Sequence, residues 1–115
     1  MINRIALGAA IFALSALLYS PFARAAMSGS SFDAAMATAM KRMDIAMGKA
    51  PMTGNADLDF TAMMIPHHQG AIAMAESEIV YGHDRRLKRL AQEIIVTQKS
   101  EIQVMKFERR RLQSR

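Results

Sequence analysis

Only Gly82 and His83 separate two long stretches whose apolar residues recur at helical spacing. A turn that short forces the second helix back along the first. Residues 57–111 are therefore expected to form an antiparallel helical hairpin. Upstream, Asn55 to Asp59 offer a helix start, and Gly82 offers a C-cap after Tyr81. The second hairpin helix is expected from about Asp84 to Arg110. No period-two strand pattern and no internal repeat interrupts this reading.

A further helix is expected ahead of the hairpin. Ser30 or Ser31 can cap it, Asp33 suits its first turn, and Gly48 and Pro51 stop it. Met27 to Ser31 and Ala50 to Asn55 read as linkers, and Met27 and Met52 are placed in them. The first 25 residues read differently. Arg4 precedes an uncharged run from Ile5 to Leu18, and Ala23-Arg24-Ala25 has the small-x-small form of a cleavage site. That run is shorter than the ~20 residues of a membrane span. The division expected is thus a signal peptide at 1–25, a Met-rich first helix with linkers at 26–56, the hairpin at 57–111 and a basic tail at 112–115. Export to the periplasm or outside follows, with no stable membrane anchor after cleavage.

The fold class expected is all-α: a three-helix, ferritin-like bundle around the hairpin, with dimerisation as one way to complete it. Residues 26–115 make one small domain whose core is marginal. The chain has no cysteine, so its stability has to come from helix packing, self-association or a bound metal. Ten of its 15 Lys and Arg lie after Tyr81. They read as a solvated helix face and a basic tail, and export argues against nucleic acid as a partner.

Ten of the eleven methionines lie beyond residue 25, and with two adjacent histidines they carry the chemistry. Met36, Met40, Met43 and Met47 fall within about 60° of one another on the first helix. A stripe of this kind is ordinarily core, because methionine fills irregular gaps. It is also a bank of soft thioether donors. On the second helix, Met63 and His67 are four residues apart, as are Met64 and His68, so each histidine has a methionine one turn away. Met74 continues the His67 face. Thioether with imidazole and no thiolate suits Cu(I), and Ag(I), far better than Mg, Ca or Mn.

Two local conflicts flank the pair. Pro66 inside a helix costs about 3 kcal/mol, and Gly70 about 1 kcal/mol relative to Ala. Such conflicts gather at functional sites, although a close helix crossing at Gly70 and Ala71 also accounts for the glycine. On the third helix, Gln98 and Glu101 sit on or beside the apolar face of Leu87, Ala91, Ile94, Ile102 and Met105. They are placed to hold a histidine's second nitrogen, or to bond between helices. His83 reads as an exposed turn residue.

No nucleophile–base–orienter set is present, and no enzyme is expected. A di-iron carboxylate oxidase needs Glu-x-x-His pairs, and no histidine here has Glu three residues before it. A metal-free helical interaction module is the principal alternative to metal binding.

The string Met63-Met64-Ile65-Pro66-His67-His68-Gln69-Gly70-Ala71, followed by Gln98-x-x-Glu101-Ile102-x-x-Met105, resembles the family known as domain of unknown function 305. Its best-understood members are CopM-like periplasmic copper-binding proteins. The resemblance covers about Asp57 to Phe107. It implies an exported helical protein that holds copper, as Cu(I), for tolerance, buffering or delivery to a periplasmic transfer partner. By position it implies Met63, Met64, His67, His68, Met74 and Met105 as ligands, with Gln98 and Glu101 behind them. The stripe Met36, Met40, Met43 and Met47 lies outside the shared motif and offers additional ligands. A homodimer remains compatible with all of this.

Overall fold

A computed structural model describes the backbone of residues 21–115 and the side chains from residue 31 onward. The apolar run from Ile5 to Leu18, and most of the expected signal peptide, lie outside the described residues. Three helices follow one another: α1 (Pro21–Gly48), α2 (Ala56–Tyr81) and α3 (Arg85–Gln113). Among the described residues, no helix is long and apolar enough to cross a membrane.

The expected helix starts hold on α2 and α3. The Asn55 side chain accepts the backbone N–H groups of Asp57 at 3.0 Å and Leu58 at 3.2 Å. The Asp84 side chain does the same for Arg86 at 2.8 Å and Leu87 at 2.9 Å. Each cap satisfies donors that no helical carbonyl can reach. Gly82 ends α2 by donating its N–H to the Glu78 carbonyl at 2.8 Å, in an extended rather than a left-handed conformation. Glycine is required there because the Glu78 side chain and carbonyl fill the space of a Cβ.

At its N-terminal end α1 departs from expectation. It runs back to Pro21, so Met27 to Ser31 is helix rather than linker, and Met27 lies on a helix rather than in a loop. Serine and glycine are weak helix formers, but extending an existing helix is far cheaper than nucleating a new one. α2 also passes through Pro66 without a break. At the other end α3 reaches Gln113, taking in the first half of the expected tail.

The helices lie as a flat layer. α2 packs against both neighbours, while α1 and α3 do not meet. α2 turns Pro66, Gly70 and Ser77 to α1, and His68 and Ala75 to α3, on nearly opposite sides. Both neighbours run antiparallel to α2. Phe32 sits edge-on to Tyr81 at 6.4 Å between ring centroids, and Met43 covers Gly70. On the far side, His68 meets Glu101. The core is thin: Ala39, Ala62, Ala75, Ala91, Ile102 and Met105 are buried, and no described side chain is fully so.

The loop between α1 and α2 is tied to Asp59. Its carboxylate accepts the Thr53 N–H at 2.7 Å, the Thr53 hydroxyl at 2.8 Å and the Gly54 N–H at 3.0 Å. These bonds hold the Asp59 carboxyl below its ordinary value of 3.8, the Thr53 N–H contributing most. A depressed pKa contributes stability above the unfolded value, and that contribution is lost as pH falls below it. Asp59→Asn is therefore expected to flatten the acid limb of a stability–pH profile below about pH 4, read by circular dichroism. An unchanged limb rules this out.

Gly70 marks where α1 crosses α2. A Cβ at Gly70 would stand 2.6 Å from the Met43 sulfur and 2.8 Å from its Cβ and Cγ. The Met43 Cβ cannot swing away without moving α1. Gly70→Ala gains about 1 kcal/mol of helix propensity. Overpacking costs about 1–3 kcal/mol. The variant is expected to be no more stable than the native chain, and less stable wherever α1 cannot shift. A raised melting temperature contradicts the crossing.

Candidate metal centre

The two histidines of α2 have different surroundings. His68 is buried between α2 and α3, at 8% exposure, whereas His67 is exposed. Their ring centroids are 6.1 Å apart. The difference follows from the helical turn of about 100° per residue, which sends neighbouring side chains to different sides.

His68 Nε2 lies 2.8 Å from Glu101 Oε2. An ionised carboxylate only accepts, so Nε2 carries the proton and donates it. In the neutral imidazole, Nδ1 is then a lone-pair nitrogen. It is buried and has no hydrogen-bond partner, and neither has the buried Oε1 of Gln98. Buried polar atoms without partners are uncommon, and each calls for a physical cause.

The His68–Glu101 bond fixes the register of the antiparallel pair. Four residues before His68 and four after Glu101 fall in the same layer, which sets Met64 of α2 level with Met105 of α3. Met105 is buried and Met64 half-buried. Met64, His68, Gln98, Glu101 and Met105 thus share the α2–α3 seam.

The remaining sequence candidates occupy a different place. Between its two neighbours α2 exposes a stripe containing Phe60, Met63, His67 and Met74. Met74 and Glu78 share a shallow groove with Leu87, Leu90 and Ile94 of α3, so that edge of α3 lies on the His67 face. Thr38 and Arg42 of α1 instead share a groove with Gln69 and Glu76, on the opposite face. A quarter-turn the other way from α2-facing Ala39 stand Met36, Met40 and Met47, with Met43 at the contact itself. The α1 stripe therefore joins Met63, His67 and Met74 on one open face. Nothing in the spacing within either helix could show this, because the relative rotation of two helices is a tertiary property.

His83 is exposed at the turn, and Met52 is exposed in the loop. Among the described residues, no group of three or more His, Asp or Glu side chains gathers in a form that could hold a metal ion. The soft donors placed beside the two imidazoles are methionine sulfurs. The seam supplies an imidazole lone pair and two thioethers, and the open face an imidazole and a bank of thioethers. Both sets suit a soft monovalent ion.

Glu101→Ala would leave both His68 nitrogens unsatisfied in the seam. An unsatisfied buried donor costs about 1–3 kcal/mol. Glu101 is 49% exposed, so the ionic part is screened and the lower half of that range is expected. Chemical denaturation measures the loss, and nitrogen NMR of His68 reports the tautomer. An Nδ1-protonated ring in the native protein contradicts this assignment.

No curated protein matches the chain. Residues 15–107 match the family described as Domain of unknown function (DUF305). That match spans the whole of α1 and α2 and most of α3, so it includes the α1 methionines as well as the hairpin, and on it the chain belongs to the DUF305 family.

Proposed function

We propose that this protein is an exported, non-catalytic Cu(I)-binding protein of the CopM-like kind, serving copper tolerance, buffering or delivery. Ag(I), of the same charge and softness, would compete for the same donors. The observation that carries the reading is His68. Glu101 holds its Nε2–H, while the buried Nδ1 lone pair has no partner and shares its seam with Met64 and Met105. A histidine ligand commonly donates its other ring N–H to a carboxylate, which fixes the tautomer and raises the basicity of the ligating nitrogen.

The donor set supports the oxidation state. Thioethers need no deprotonation, so copper binding would not compete with protons at the sulfurs. They also form no disulfides in an oxidising compartment, which suits the export expected from residues 1–25. The second set, His67 with Met63, Met74 and the α1 methionines, lies open on the surface.

The rival reading, a metal-free interaction module, draws on the same open face and its exposed apolar side chains. The two separate by titration. The purified protein is expected to withdraw Cu(I) from a chromogenic chelator. His68→Ala, and Met64→Leu with Met105→Leu, are expected to weaken that competition at least tenfold, since leucine keeps the packing and removes the sulfur. Glu101→Gln should weaken it by about 10–100-fold. A native protein that leaves the chelator's copper untouched ends the copper reading. Variants that compete as well as the native chain move the centre from His68 to His67.

A further inference from the structure

The open face around His67 exposes a run of large apolar side chains. Met40, Phe60, Leu87, Leu90 and Val104 are each about half exposed or more, and Met36, Met47, Met63, Met74 and Ile94 are only partly covered. The opposite face interleaves Thr38, Arg42, Gln69 and Glu76 with alanines and Val80 along its groove, so charged and amide groups break up its apolar surface. The core cannot compensate, because no described side chain is fully buried.

We infer that a second copy of this chain covers this face, as a two-fold dimer whose axis passes beside His67. Three observations select a second copy over a foreign partner. The first is size. α2 is about 39 Å long at ~1.5 Å per residue, and three helices about 9 Å apart present a strip roughly 20 Å wide. That strip is about 800 Å² per copy, the share each partner gives to a standard stable interface. The second is need. A small chain without a filled core or disulfides requires a constant partner, and its own copy is always present.

The third observation is self-complementarity. Along the His67 side of α2, residues 60, 63, 67, 71 and 74 are spaced three, four, four and three apart, Phe60 and His67 exposed and the other three half-buried. The series is palindromic about His67, and His67 lies near the midpoint of α2. An antiparallel pairing centred there sets Phe60 of one copy on Met74 of the other, a favourable sulfur–aromatic contact. It also sets Met63 of each copy on Ala71 of the other, a large side chain on a small one. A two-fold interface demands this kind of matching of a surface to itself. The two His67 rings meet beside the axis, each with Met63 one turn away. The dimer does not depend on copper. If the chain binds copper as proposed, the open-face donors come from both copies.

The test uses chelator-treated protein, so that metal plays no part. Sedimentation equilibrium at micromolar concentration is expected to give twice the chain mass, and Ala71→Glu is expected to give the chain mass with helical circular dichroism retained. The cysteine-free sequence allows a check on register. His67→Cys should be joined to its twin by a short thiol cross-linker, and Glu76→Cys, on the opposite face, should not. Native protein that sediments as a monomer overturns the inference. So does cross-linking at Glu76→Cys in place of His67→Cys, a result that holds even if Ala71→Glu fails to fold. Copper competition measured on the same samples is a separate readout, so either reading can fail while the other stands.

Discussion

α2 alone touches both other helices, and the rest of the molecule follows from that. A helix offers neighbours only a limited circumference. With α1 on the Pro66–Gly70–Ser77 side and α3 on the His68–Ala75 side, two strips of α2 stay open. α1 and α3 make no contact with each other. Every buried side chain is therefore part of one of two pairwise interfaces, which is why none is fully sealed. The close approach of α1 depends on Gly70, and the register of α3 on the bond between His68 and Glu101.

That bond links stability and chemistry. A buried imidazole has two nitrogens to satisfy, and the seam satisfies one. The fold tolerates the second because the first is held by a charged acceptor, whose hydrogen bond is stronger than a neutral one. In the neutral ring the same arrangement leaves a lone pair on Nδ1, the feature on which the proposed copper site rests. Pro66 fits a consistent role as well. It is buried against α1 and lies one residue before the histidine pair, where the helix continues without the N–H it lacks. Part of the conflict in the local sequence is thus resolved by packing. His68 keeps a polar atom that packing does not resolve.

Much of the backbone was legible because its determinants are local. Asn55 and Asp84 reveal themselves as caps by residue type and place, and Gly82 as a stop. The short link after Tyr81 dictates an antiparallel hairpin. The expected start of α1 at Ser30 or Ser31 failed for the opposite reason. A run of weak helix formers marks a boundary only when nothing continues on its far side, and α1 continues back to Pro21. The helical phases of the methionines were also legible, but only within each helix.

The sequence by itself determined three helices, their order, the turn that pairs α2 with α3, and two histidines on different sides of one helix. These depend on backbone geometry and on contacts within a few residues. Tertiary structure alone decided that α1 and α3 stay apart and that His68 rather than His67 is enclosed. It also decided that Glu101 rather than Gln98 takes the His68 nitrogen, and that the α1 methionines share a face with His67. Each of these depends on how one helix is rotated and shifted against another. That is set by the fit of Met43 over Gly70 and of His68 against Glu101, contacts between residues far apart in the chain.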